Sequence, residues 1–217
     1  YLFVEINKKE YMGELQKTFY INLVISLAVT LIVTLIIAYT IGIYQKQLVD
    51  LAGEDSLTKL SNRRKFDEMF GELYKKGSAK LTLMLIDIDD FKKVNDDFGH
   101  LVGDQTLIRV ADILRRKLGP EDVITRWGGE EFAVMLPETG LGGAILVAER
   151  LRQQIATQAI DIGDGQTLQC TLSIGVACLD DAMTDLEKLL HRADTALYSA
   201  KNGGRNKVVS YAADRPA

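Results

Sequence analysis

The sequence predicts an α/β domain with a mixed sheet, placed behind a single transmembrane helix. Three observations predict it: residues 20 to 44 carry no charge, helix-like and strand-like patterns alternate from Ser56 onward, and a paired-glycine turn joins two strand-like runs near the middle of the chain.

The chain opens with Tyr1-Leu2-Phe3-Val4-Glu5-Ile6, whose alternation suits a strand and is similar to the last strand of Cache-type sensor domains. Residues 1 to 19 are too few to bury a core, so they are expected to be the end of an extracytoplasmic sensor region. The uncharged run from Tyr20 to Tyr44 follows. As a helix it spans roughly 37 Å, more than a ~30 Å hydrocarbon core requires, and it is longer than the apolar part of a signal peptide. Tyrosines at both ends suit the membrane interfaces. Within it, Asn22, Ser26, Thr30, Thr34, Ala38 and Gly42 recur every fourth residue, a small and polar stripe that lets two helices approach closely. The alternative is that Ser and Thr are simply tolerated there. Residues 45 to 55 read as a signalling stalk: Ile41, Tyr44, Leu48 and Leu51 have the spacing of a coiled-coil seam, over too short a stretch to establish one. Gly53, Asp55 and Ser56 mark a hinge.

Residues 56 to 212 form the expected globular domain, with 213 to 217 as a tail. An amphipathic helix is predicted near 61 to 76, then an almost wholly apolar strand from Leu81 to Ile88. A long helical region to Leu118 is broken near Gly99 to Gly103. The runs Val123 to Arg126 and Glu131 to Leu136 flank Trp127-Gly128-Gly129-Glu130, a strong hairpin signal. A helix from about 142 to 157, a strand from Leu168 to Ala177, a helix from 184 to 201 and a last strand near Lys207 to Tyr211 complete the pattern.

The net charge of −4, with acids and bases interspersed, offers no broad electropositive face, so nucleic acid is not an expected partner. Cys170 and Cys178 lie in apolar sequence without CxxC spacing and read as small hydrophobic residues. His100 and His191 lack ligand spacing.

The chemistry concentrates at two places. Strand Leu81 to Ile88 delivers Asp87 at its end, followed by Asp89, Asp90 and a helix start, where backbone N–H groups favour an anion and a carboxylate can hold a hard cation. Such an acidic strand end also serves as a helix cap or a solvated turn, and the residues alone leave both readings open. The hairpin adds Glu130 and Glu131 beside glycines that permit close approach of a ligand; Mg²⁺ would balance the like charges. Lys92, Lys201 and Arg205 are each compatible with an ordinary surface position.

The hairpin reads Gly128-Gly129-Glu130-Glu131-Phe132, a variant of the motif that names GGDEF domains. Asp55-Ser56-Leu57-Thr58 resembles the opening segment of that family, Asp87-Ile88-Asp89-Asp90-Phe91-Lys92-Lys93-Val94-Asn95 its metal and nucleotide segment, and Lys201 with Gly204-Arg205-Asn206 its closing one. The resemblance covers residues 55 to 211. It implies a palm-like nucleotidyl-cyclase fold with about five strands, and a diguanylate cyclase that joins two GTP into cyclic di-GMP as a homodimer. By the same resemblance, Asp87, the Ile88 carbonyl and Glu130 would hold two Mg²⁺ per site, with Mn²⁺ as a substitute. Glu131 would help activate the ribose 3′-hydroxyl. Asn95 and Asp104 would read guanine, Lys92, Lys201 and Arg205 would contact phosphates or neutralise charge in the transition state, and Phe91, Gly128 and Gly129 would also line the substrate site. The catalytic domain would then lie in the cytoplasm, with residues 20–44 in the lipid of the inner membrane. One departure stands out. The family's Arg-x-x-Asp product site corresponds to Gly119-Pro120-Glu121-Asp122, so product inhibition there is expected to be weak or absent.

Overall fold

The computed structural model describes residues 8–75, 80–163, 166–179 and 185–211. The chain divides into two units, residues 1–51 and 52–217. In the first, helix α1 (Lys8–Ala52) contains one stretch, Met12–Tyr44, long and apolar enough to cross a membrane, and none of it is buried. Thr30 and Thr34 donate their hydroxyls to the carbonyls of Ser26 and Thr30, which satisfies these polar groups inside the helix. The strand expected at Tyr1 to Ile6 lies outside the described residues. So do the side chains of Leu48 and Leu51 in the expected stalk, although the backbone there is helical.

The helix ends at Ala52, and Gly53 takes a left-handed φ of 73° that only glycine adopts cheaply. The second unit then runs α2 (Arg63–Lys75), β1 (Leu81–Ile88), α3 (Phe91–Phe98), α4 (His100–Lys117), β2 (Val123–Arg126), β3 (Glu131–Pro137), α5 (Leu141–Thr157), β4 (Ile160–Gly163), β5 (Gln166–Leu168), β6 (Leu172–Cys178), α6 (Leu186–Asn202) and β7 (Val208–Ser210). Five strands form one sheet in the order β2-β3-β1-β6-β7, antiparallel except for the parallel β6–β7 edge. The expected mixed five-stranded sheet is therefore present.

One expectation needs correction. The single strand from Leu168 to Ala177 is two: β5 pairs with β4 in a separate hairpin, and only β6 enters the sheet. The Thr171 carbonyl accepts the Asp89 N–H at 2.9 Å and so continues the β1–β6 register by one pair, and the chain before it leaves the sheet to pair as β5 with β4. Strand β4 carried no distinct signal in the sequence.

Because β1 is central and covered on both faces, all eight of its residues are buried, which explains why it is apolar apart from Thr82 and Asp87. Its side chains alternate. Met84, Ile86 and Ile88 pack with α4 and α5, whereas Leu81, Leu83 and Leu85 pack with Phe66 and Phe70 of α2 and Leu189, Ala193 and Leu197 of α6. Asp87 continues the second series and so emerges on the α6 side. That helix sits unusually close. A Cβ at Gly175 in β6 would overlap the Ala193 carbonyl and the Leu197 backbone, so glycine is what lets α6 approach the sheet.

Candidate active site

Asp87 is 4% exposed, and burial pushes its carboxyl up to about pKa 6. Lys201 opposes that shift, its Nζ standing 2.7 Å from Asp87 Oδ2, while the charges of Glu130 and Glu131 add to it. A carboxylate serving only as a helix cap would bond the first turn of α3. Instead, α3 begins with Asp90 in a left-handed conformation, φ 54°, whose side chain makes no capping bond.

The hairpin brings the other acids to Asp87. In the β1–β3 register Asp87 stands opposite Glu131, which puts the two residues on the same face of the sheet. The Glu130 carbonyl accepts the Ile88 N–H at 3.4 Å, so the Glu130 backbone lies against the end of β1. Trp127 and Gly128 both donate N–H to the Glu131 carbonyl, at 2.8 and 3.2 Å, closing the turn. A Cβ at Gly128 would come within 2.9 Å of Glu131 Oε2, so this glycine leaves room for the carboxylate.

Two residues ahead of the glycines, Arg126 donates to the Gly129 carbonyl at 2.8 Å and to both oxygens of Asp55 at 3.1 and 3.2 Å. Asp55 also accepts the Thr58 N–H and hydroxyl. Burial alone would raise the Asp55 pKa, but these hydrogen bonds and Arg126 more than offset it and leave it lowered. On the other side of the hairpin, Trp127 meets Phe66 edge-on and lies 4.4 Å beneath the Arg63 guanidinium. The segment carrying the acids is thus held from both sides by residues that follow α1.

Beyond β1, Asn95 and Asp104 lie on α3 and α4. The Asn95 amide packs directly on Gly103, where any Cβ would displace it, so a glycine beside Asp104 sets the position of the amide. Asp104 and Lys92 are exposed and Asn95 is half-buried. Phe91 lies in the core, 6% exposed, which leaves its backbone at the start of α3 to face a ligand. Arg205 projects near Asp90, with Nε to Oδ1 3.4 Å. The structure thus brings Asp87, Glu130, Glu131 and Lys201 together, with Arg205 beside the Asp90 turn. Asp122 is tied to Gly119, whose N–H reaches its Oδ2 at 2.7 Å. Both histidines are exposed, and burial pushes the Cys170 thiol up to about 11, consistent with an inert small hydrophobe.

Known proteins share this arrangement in sequence and fold. The family model described as diguanylate cyclase, GGDEF domain, matches residues 52–207. The chain belongs to the diguanylate cyclase GGDEF family. This GGDEF domain is 41% identical over 169 residues to the response regulator PleD of Caulobacter vibrioides, covering 76% of this chain and 37% of PleD. It is 37% identical over 174 residues to diguanylate cyclase A of Treponema denticola, covering 77% of this chain and 47% of that protein. The chain therefore spans less than half the length of either relative. Among solved structures, the GGDEF domain of DgcB from Caulobacter crescentus in complex with c-di-GMP superposes with a TM-score of 0.71 at 32% identity, covering 75% of this chain and 94% of that one. The active GGEEF domain of a diguanylate cyclase from Vibrio cholerae does so with a TM-score of 0.67 at 34% identity, covering 71% and 99%.

The site's donors suit a hard divalent cation. They are carboxylate and carbonyl oxygens only, and Asp87 is a buried anion whose neighbours Glu130 and Glu131 aggravate its charge. Among the described residues, no three His, Cys, Asp or Glu side chains form a self-contained metal cage, so an ion held here would need further oxygens from outside these side chains. Three residues of this GGDEF domain escaped the sequence reading: Arg126, Trp127 and Asp89. Asp89 is 7% exposed and accepts the hydroxyls of Thr171 and Ser173, each at 2.6 Å, and the Asn206 N–H at 3.0 Å. Its position next to Asp87 and Asp90 made it look like one more acid of a charged turn.

Proposed function

We propose that the chain is the catalytic end of a diguanylate cyclase that condenses two GTP into cyclic di-GMP. The observation that carries this reading is the convergence of Asp87, Glu131 and Lys201 at one end of the sheet, with Asn95 and Asp104 nearby on α3 and α4. The 3′-oxygen of one GTP attacks the α-phosphorus of the other, the new P–O bond forms as the bond to pyrophosphate breaks, and the hydroxyl proton leaves to a base. A second, identical transfer closes the ring.

Glu131 takes up or relays that proton, while Lys201 and Arg205 offset charge on the phosphates. Asp104 accepts N–H groups from the guanine edge, and Asn95 both donates and accepts, which discriminates against adenine. Asp87, the Ile88 carbonyl and Glu130 are the residues to hold Mg²⁺, or Mn²⁺ in its place. When bound, a pair of such ions supplies charge neutralisation of the triphosphate and stabilises both attacking and leaving oxygens. One domain binds one GTP, so two copies must meet. Helix α1, as a membrane anchor with a small-residue stripe, raises the chance of that encounter, and in this reading the need for GTP puts the domain on the cytoplasmic side of the inner membrane.

The test is to incubate the chain, in detergent, with GTP and Mg²⁺ and identify the product by mass. Cyclic di-GMP is expected, with Glu131→Gln slower by about 100-fold. If no cyclic dinucleotide forms even when dimerisation is enforced, the domain is a silent module that binds GTP or a partner and relays a signal.

A further inference from the structure

Residues 204 to 206 form a turn that costs energy to hold. Gly204, Arg205 and Asn206 have φ of 105°, 58° and 45°, so two successive non-glycine residues occupy the left-handed region. Such a conformation persists only where the surroundings over-determine it. Here they do so at Asn206, from two directions. The Asn206 N–H donates to the buried Asp89 carboxylate at 3.0 Å, and its side-chain Oδ1 accepts from Arg152 of α5 at 2.7 Å. Asp89 is fixed in turn by Thr171 and Ser173 at the start of β6. The residue whose direction this geometry dictates is Arg205, the one turn residue that projects to Asp90 beside the acidic strand end.

We propose that Asp89, acting through Asn206, is a positioning residue: it holds the 204–206 turn left-handed so that the Arg205 guanidinium is presented to the substrate phosphates. The assignment deepens the cyclase reading, since it takes Arg205 as a phosphate contact. Asp89 does not itself touch substrate. Its carboxylate takes three donors from the protein, a number an amide oxygen in its place could not accept without leaving a buried donor unpaired.

The experiment compares the full chain with Asp89→Asn, Asn206→Gly, Arg205→Ala and the double variant Asn206→Gly/Arg205→Ala. Each is assayed for KM and kcat with GTP, for equilibrium binding of a non-hydrolysable GTP analogue, and for thermal midpoint. Asn206→Gly is the informative substitution. Glycine accepts φ 45° without strain, so the fold is preserved, but the Arg152 clamp is lost and the turn is free to leave that conformation. Expected are an increase of about tenfold in KM and in analogue dissociation constant for Asp89→Asn and Asn206→Gly, as for loss of one charge-assisted phosphate contact. In the Arg205→Ala background, Asn206→Gly should add less than about twofold, because it acts through the residue already removed. Undiminished, multiplicative effects in the double variant would overturn the proposal, as would unchanged analogue binding in both Asp89→Asn and Asn206→Gly at unchanged midpoints. A wild-type chain that binds the analogue but yields no cyclic dinucleotide would refute the cyclase reading alone, because the binding comparison still decides the role of Asp89.

Discussion

Lys201 Nζ stands 2.7 Å from Asp87 Oδ2, so the last helix supplies the countercharge for the buried acid of the central strand. The pair is asymmetric: Asp87 is deeply buried and Lys201 only partly so. Burial wins over attraction for the acid, whose pKa rises to about 6 despite the adjacent ammonium.

The first prediction concerns pH. The Asp87 pKa is raised above its ordinary 3.8, so the folded chain binds this proton more tightly than the unfolded one. The resulting stabilisation is complete below about pH 4 and is lost as pH climbs through 6. Asp87→Asn removes the effect. The thermal midpoint of the variant, measured against wild type without added metal, should therefore gain progressively between pH 4 and 7. In the same window, Mg²⁺ affinity of the wild-type chain should weaken roughly tenfold per pH unit below 6, as titration calorimetry would register.

Arg126 connects Asp55 with the Gly129 carbonyl, and both ionic partners are largely withdrawn from solvent, 17% and 21% exposed at the side chain. Removing the guanidinium strands a partly buried carboxylate and frees the hairpin. Arg126→Ala should cost about 2 kcal/mol in urea unfolding and reduce turnover at least tenfold. Equal stability to wild type would show that the contact is superficial.

At Gly175, an added methyl group meets the backbone of α6 rather than a side chain that can swing aside. Gly175→Ala should destabilise by about 3 kcal/mol, and it should loosen Lys201 from Asp87 by displacing the helix that bears it. Denaturant titration gives the first effect and loss of turnover the second.

Product feedback offers a gain-of-function test. Gly119 and Asp122 already face each other across one turn, but glycine has nothing with which to grip a phosphate or guanine. Wild-type activity should be insensitive to micromolar cyclic di-GMP, while Gly119→Arg should acquire inhibition at least tenfold stronger, restored to insensitivity by Asp122→Ala. Inhibition of the wild type that disappears in Asp122→Ala would contradict this.

The parts legible in the sequence were those written locally. The apolar run of β1, the paired glycines and the amphipathic helices each announce themselves within a few residues, and their observed bounds differ from expectation by little. The contacts that stayed hidden are those closed over long separations. Asp89 finds Thr171, Ser173 and Asn206 at distances of 82, 84 and 117 residues along the chain, and Arg126 finds Asp55 at 71. No local pattern encodes such partners. The division of 168–177 was hidden because it shows only in the partners, β4 for β5 and the distant β1 for β6.

The pairing of Asp87 with Glu131 also restricts what evolution or an engineer can do to the hairpin. Side chains in paired strands change sides with every step, so a one-residue slip of β3 against β1 would turn Glu131 away from Asp87 while leaving the strand just as apolar. Register is therefore under constraint here as well as composition: a single-codon insertion or deletion inside either strand would move the acid to the wrong face with every side chain still present.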